Sequence, residues 1–195
     1  MPLQKSCDNS MKDSEVIHSY LETQASRCFG LLYDRYSAKI FSKCISLLKD
    51  EVMAQDATQE IFTKIFLNLS RFGEKSKFST WVYSITYNYC IDFLRRKKKQ
   101  KDIFSDEMEK APDVPDEEIS DKVLLEMNLV QLKVVLDNIP PGDQAILLMK
   151  YQDDMSIRDI AETLDKTESA VKMKIKRAKA KAQQVREEKF TEQPI

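Results

Sequence analysis

Only three glycines, Gly30, Gly73 and Gly142, interrupt this 195-residue chain, and no alternating apolar–polar run recurs along it. Scarce glycine among many Lys, Glu, Leu and Ile residues favours an all-α fold. The apolar positions keep the helical interval. In 15–48, Ile17, Tyr20, Leu21, Phe29, Leu32, Tyr33, Tyr36, Ile40, Ile45 and Leu48 read as two helices. A third follows at 51–69, with Val52, Ala57, Ile61, Ile65 and Leu69 along one side and Asp50 as its cap. Residues 70–79 break the pattern at Gly73. Ser79 or Thr80 is expected to cap a helix reaching about residue 99, with Val82, Ile85, Tyr89 and Phe93 as its buried stripe.

Four more helices are expected at 121–138, 141–152, 156–164 and 168–187. Pro141 suits a first helical position, Ser156 with Asp159 forms a capping box, and Thr167 caps the last helix. The organisation predicted is a disordered stretch at 1–14, a helical domain at 15–100, an acidic flexible linker at 101–121, a second helical domain at 122–187 and a tail at 188–195.

The net charge of −1 conceals a strong asymmetry. Residues 1–100 carry 16 Lys and Arg against 11 Asp and Glu, 101–128 carry 3 against 10, and 129–195 carry 12 against 11. Two neutral-to-basic modules thus flank an acidic connector, and the overall balance says little about partners. The N-terminus lacks the apolar core of a secretion signal, and no stretch approaches the length of a membrane span. The expectation is a cytoplasmic protein without direct membrane insertion. Four cysteines, at 7, 28, 44 and 90, show no paired metal-ligand spacing, and His18 is the one histidine. No metal site or other cofactor is expected, and Cys28, Cys44 and Cys90 read as reduced, partly buried thiols.

The segment FSTWVYSITYNYCIDFLRRKKKQ, residues 78–100, sets the only tryptophan and four other rings in its first dozen positions, ahead of five consecutive basic residues at 95–99. A core wants the rings without the charges, and a solvated tail the reverse. Nucleic acid, with phosphates outside and flat bases inside, suits both. Near the other end, residues 156–183 read as a helix-turn-helix. Ile157, Ile160, Ala161 and Leu164 make one amphipathic face. Asp165 to Thr167 make a turn, and Ala170, Val171, Ile175 and Ala178 the buried stripe of the second helix. Ala161 and Ala170 are small enough to sit near the crossing. The rest of the second helix carries Lys172, Lys174, Lys176, Arg177, Lys179, Lys181 and Arg186, with Glu168 the only acid in 168–186. Solvation and the helix dipole account for some of this charge. Its density after a turn helix points to phosphates.

On these stretches the chain resembles the extracytoplasmic-function (ECF) group of bacterial sigma factors. LLYDRYSAKIF, AQDATQEIFTKIF and FGEKSKFSTWVYSITYNYCIDFLRR resemble sigma region 2. Residues 129–182, from LVQLKVVLDNIPPGDQ to KMKIKRAKAK, resemble region 4. The resemblance implies a transcription initiation factor, not itself an enzyme and with no small-molecule substrate. It would bind core RNA polymerase and promoter DNA, recognising duplex −35 and melted −10 elements, and an anti-sigma factor is a further partner of the kind the family has.

Residue by residue, the resemblance assigns polymerase binding to Asp56, Gln59 and Glu60, an exposed acid–amide patch otherwise explained by capping and solvation. The loop 72–79 would capture a flipped −10 base. Lys75 and Lys77 hold phosphates there, Phe72 or Phe78 lines the pocket, and Ser79, Thr80, Trp81 and Tyr83 follow at the helix start. Trp81 either touches DNA or supports the loop. Asn88 contacts a base or fixes the loop, and Arg95 and Arg96 hold the neighbouring backbone. An ion pair from Asp92 to Arg95 or Arg96 is the plainer use of those arginines. At the −35 element, Ser169, Lys172, Met173 and Lys176 fall on the early exposed face for base contact, while Arg177, Lys179 and Lys181 meet phosphates. Asp153, Asp154 and Asp165 stand where many members have glycine, Thr86 replaces a usual alanine, and lysines stand in for arginines on the last helix. The competing readings are a stand-alone DNA-binding regulator, which needs no Asp56–Glu60 patch, and a metal-dependent nuclease built on Asp56 and Glu60. The nuclease lacks converging further ligands.

Overall fold

Buried side chains recur every three or four residues along each helix, and those stripes build two helical cores. A computed structural model describes residues 7–101 and 127–190 (side chains through Lys97 in the first stretch), which fall into two compact units dividing after Asp92. The expected linker 101–121 therefore lies, except for Lys101, outside the described residues, as do residues 122–126 of the second expected domain and 191–195 of the tail.

The first unit holds α1 (Asp13–Thr23), α2 (Ser26–Leu48), α3 (Glu51–Asn68) with a short 3-10 turn at Leu69–Arg71, and the start of α4 (Phe78–Lys101). Leu32, Tyr36, Ile40, Cys44 and Leu47 form the inner ridge of α2, against Ala54, Ala57, Ile61 and Ile65 of α3. Each large apolar side chain so buried contributes about 1.5–3 kcal/mol. The Asp50 carboxylate accepts from the Met53 amide at 2.9 Å, the cap expected from sequence. Thr58 and Thr86 are buried, but each hydroxyl donates to the carbonyl four residues back, Ala54 and Val82. Thr86 thus fits where a smaller alanine would serve, because its polar atom is satisfied.

Several stripe assignments shift. Val52, Leu21 and Tyr33 are exposed. In α4 the buried set is Phe78, Val82, Thr86, Tyr87 and Cys90, whereas Ile85, Tyr89 and Phe93 are half-buried. Ser79 and Thr80 do not cap α4. The helix begins at Phe78, and the Trp81 amide reaches the Lys77 carbonyl at 3.2 Å. The expected disorder at 1–14 fails for residues 7–14, because a Cys7–Cys28 disulfide ties the segment down and α1 already starts at Asp13. Cys28 is accordingly not a free thiol, while Cys44 and Cys90 are.

The second unit holds α5 (Leu129–Asn138), α6 (Pro141–Leu147) continuing as a π-helical turn at Leu148–Gln152, α7 (Ile157–Leu164) and α8 (Glu168–Phe190). Pro141 opens α6, and the Ser156–Asp159 capping box opens α7, the Asp159 amide donating to Ser156 Oγ at 3.1 Å. Thr167 Oγ1 accepts from the Ala170 amide at 3.2 Å at the start of α8. Asp154 and Asp165 both adopt left-handed backbone, with φ of 51° and 50°. The short polar side chain tolerates what usually asks for glycine. Ala161, Val171, Ile175, Ala178 and Ala182 are buried where α7 and α8 pack, but Ala170 is exposed, because the crossing lies further along α8.

Asp143, with 9% of its side chain exposed, receives Lys181 at 2.7 Å and Lys174 at 3.4 Å, which pins α6 to α8. Removing a buried carboxylate that holds two ammonium groups costs about 1.5–3 kcal/mol. Asp143→Ala should therefore lower the thermal midpoint of this unit by several degrees. Lys172→Ala on the exposed face should leave it within the scatter of surface substitutions, both read by circular dichroism.

Candidate nucleic-acid interface

In the first unit, α3 ends, turns at Leu69–Arg71 and leads into an irregular loop before α4. Glu74 in that loop takes left-handed backbone at φ 53°, whereas the neighbouring Gly73 does not. The loop folds over its own rings. Phe72 and Phe78 meet at 5.2 Å between centroids, Phe72 and Trp81 at 5.4 Å, and Phe78 stacks on Trp81 at 5.6 Å. Phe78 is buried, and Phe72 and Trp81 are half-buried. Phe78 is therefore the floor of the cluster and not a surface ring, while Phe72 and Trp81 keep part of their faces open. Lys75 and Lys77 are exposed in the same loop. Such an arrangement offers stacking faces beside cations, the two things an unpaired nucleotide needs.

Tyr36 of α2 braces the cluster, and Lys43 of the same helix packs on rings further along α4. The Tyr36 ring stands edge-on to Phe78 at 5.3 Å and 6.4 Å from Tyr83. Its hydroxyl donates to Asp13, whose other carboxylate oxygen accepts from Arg35 at 2.7 Å. Burial and that hydrogen bond push the Tyr36 phenol well above the usual tyrosine range. Lys43 is buried with Nζ 4.3 Å from the centre of the Tyr83 ring and 5.5 Å from that of Tyr87. None of Asp13, Arg35, Tyr36 and Lys43 was among the sequence-selected site residues. A lysine falling on the buried repeat of α2 is a legible signal for Lys43. The Asp13 contact joins residues 22 apart, and no local spacing announces it.

Ser79 and Thr80 are half-buried in the first turn of α4. Asn88 is exposed seven residues, two turns, beyond Trp81 and hence on the same face of the helix. Arg95 and Arg96 are exposed on its closing turns. Asp56, Gln59 and Glu60 are all exposed on α3, while Ala57, Thr58 and Ile61 between and beside them face the core. The structure thus gathers these three into one acidic, amide-bearing surface.

In the second unit, Ser169, Lys172, Met173 and Arg177 are exposed on α8, and Lys176 and Lys179 are half-buried. Ser169, Lys172 and Lys176 lie three or four residues apart and share one side of the helix. Lys174 and Lys181 turn instead to Asp143, so the phosphate contact expected of Lys181 gives way to a buried ion pair. The cationic face is narrower than the raw count of bases suggests.

Comparison with known proteins agrees with both units. Residues 32–100 match the Sigma-70 region 2 family and residues 129–181 the Sigma-70, region 4 family. The ECF RNA polymerase sigma factor SigW of Bacillus subtilis is 30% identical over 162 residues, covering 77% of this chain and 84% of SigW. SigX of the same organism is 24% identical over 148 residues, 74% of this chain and 76% of SigX. Among solved structures, CnrH in complex with the cytosolic domain of CnrY superposes with a TM-score of 0.62 at 20% identity, covering 91% of this chain and 98% of that one. RpoE from Bartonella quintana, in complex with the anti-sigma factor NepR, gives 0.58 at 18% identity, covering 80% and 95%. With region 2 and region 4 in order on two helical units, the chain belongs to the ECF family of RNA polymerase sigma factors.

Proposed function

We propose that the chain serves transcription initiation through three surfaces, each on its own part of the fold. Asp56, Gln59 and Glu60 on α3 meet a basic surface of core RNA polymerase. The loop before α4, with Lys75, Lys77, Phe72 and Trp81 over buried Phe78, captures the melted −10 strand, helped by Ser79, Thr80, Tyr83, Asn88, Arg95 and Arg96. The face of α8 that carries Ser169, Lys172, Met173 and Lys176 reads the −35 duplex, with Arg177 and Lys179 on phosphates. The observation that carries the reading is the half-open Phe72–Phe78–Trp81 cluster in a loop that also carries two exposed lysines. In this reading the functional modules span 15–100 and 122–187, joined by the acidic linker.

The protein acts by binding and supplies no catalytic group of its own, and its place is the cytoplasm beside polymerase and DNA. No helix among the described residues is long and apolar enough to cross a membrane. CnrH and RpoE were each solved with a bound partner, the CnrY cytosolic domain and the anti-sigma factor NepR. A partner of that type for this chain has exposed apolar side chains available in Tyr33, Phe66 and Leu67.

Titrating core polymerase into the labelled full chain should give saturable anisotropy, and Glu60→Lys should weaken binding by about tenfold or more, roughly 1.4 kcal/mol. Binding by neither protein would leave a stand-alone DNA-binding regulator. Trp81→Ala should keep polymerase affinity but lower permanganate reactivity of −10 thymines, and unchanged reactivity would remove Trp81 from strand capture. Lys172→Ala with Lys176→Ala should lose the −35 footprint while −10 strand binding persists.

A further inference from the structure

The proposed function places this protein where thiols are kept reduced, yet Cys7 and Cys28 are paired. In such a compartment a disulfide is ordinarily transient and redox-sensing. We propose that Cys7–Cys28 is a thiol–disulfide regulatory site, reduced by a dithiol and re-formed by a disulfide oxidant, that sets how firmly the −10 aromatic cluster is held. Its effect on promoter opening rests on the sigma-factor reading; its effect on the cluster does not.

The physical path is continuous. The disulfide fastens residue 7 to the first turn of α2. Arg35 then ties down the chain between Cys7 and α1, donating to the Asn9 carbonyl at 3.2 Å, the Met11 carbonyl at 2.7 Å and the Asp13 carboxylate at 2.7 Å. Asp13 accepts from Tyr36, Tyr36 abuts Phe78, and Phe78 stacks on Trp81. Both half-cystines are buried, so attack requires the helix-free stretch before α1 to open locally. A second sulfur pair, Cys44 and Cys90, lies elsewhere, as buried thiols 3.7 Å apart between α2 and α4.

The exchange balances without a metal or cofactor. One thiolate of the dithiol attacks a protein sulfur, the Cys7–Cys28 bond breaks and a mixed disulfide forms. The second thiol of the reductant displaces the remaining protein sulfur. The protein gains two electrons and two protons, and the reductant leaves as a disulfide. With glutathione disulfide the reverse reaction returns two glutathione thiols. Once the crosslink is gone, a loop closed across 21 residues regains its chain entropy, and the Arg35 and Asp13 contacts hold the segment alone.

Trp81, the only tryptophan, reports on the cluster directly. The full chain is poised with glutathione disulfide or with dithiothreitol, and the cysteine pairing in each is read by alkylation and mass spectrometry. Reduction of Cys7 and Cys28 should shift Trp81 emission and weaken capture of a fluorescent random-sequence single-stranded DNA pool, with core polymerase present, by about fivefold. Cys7→Ser should fix the reduced behaviour under both conditions. Tyr36→Phe, which keeps both cysteines, should leave the exchange intact and sever it from Trp81. Absence of the Cys7–Cys28 pair under glutathione disulfide, or unchanged emission on its verified reduction, overturns the proposal. A redox-dependent emission change in a protein that binds neither polymerase nor DNA upholds the coupling and overturns the sigma reading instead.

Discussion

The edge-on contact of Tyr36 with Phe78 is the joint on which the first unit's functional surface depends. Without it the loop after α3 would have rings but no fixed floor, since Phe72 and Trp81 both rest on Phe78. The joint is held from behind by Asp13 and Arg35, so a helix far from the loop in sequence decides where the loop sits. Aromatic pairs of this kind add about 0.5–1.5 kcal/mol beyond the area they bury. That is small beside a whole core but decisive for which of several loop shapes is populated.

Charge does two jobs on α8, and the two separate cleanly in space. Lys174 and Lys181 face inward to a buried carboxylate and serve packing. Lys172 and Arg177 are exposed and belong to the face proposed to meet DNA. Within a single lysine-rich stretch, helical phase alone separates the bases that pack from those left exposed. Because lysine lacks arginine's rigid fork, base reading by this face leans less on bidentate contact with guanine.

How much of this was legible in the sequence depended on distance along the chain. Caps at Asp50, Ser156 and Thr167 were readable because the donor lies within three residues of the acceptor. The left-handed turns at Asp154 and Asp165 fall at positions singled out because many family members have glycine there. The exposed triad on α3 and the face of α8 followed from periodicity. The stripe of α4 was misjudged because Tyr89 and Phe93 look more apolar than Thr86, and only the back-bonded hydroxyl makes Thr86 a core residue. The brace of the loop, made by Asp13, Arg35 and Tyr36, was missed because its contacts are tertiary. The Cys7–Cys28 pair was missed for the same reason, since four cysteines without motif spacing look like unrelated thiols.

Tyr36's raised phenol has a consequence for the conditions under which the loop is braced. An ordinary tyrosine ionises near pH ~10, and this one holds its proton beyond that because burial and the Asp13 hydrogen bond both penalise the phenolate. The folded value lies above the unfolded one, so the contribution of this hydrogen bond is fully present below about pH 10 and declines only as alkalinity rises further. Through every acidity a living cell experiences, the donor end of the brace stays un-ionised. Among the links between the N-terminal segment and the loop, the Tyr36 donor keeps its proton, and the link proposed to answer to the surroundings is the sulfur bridge, which answers to electrons.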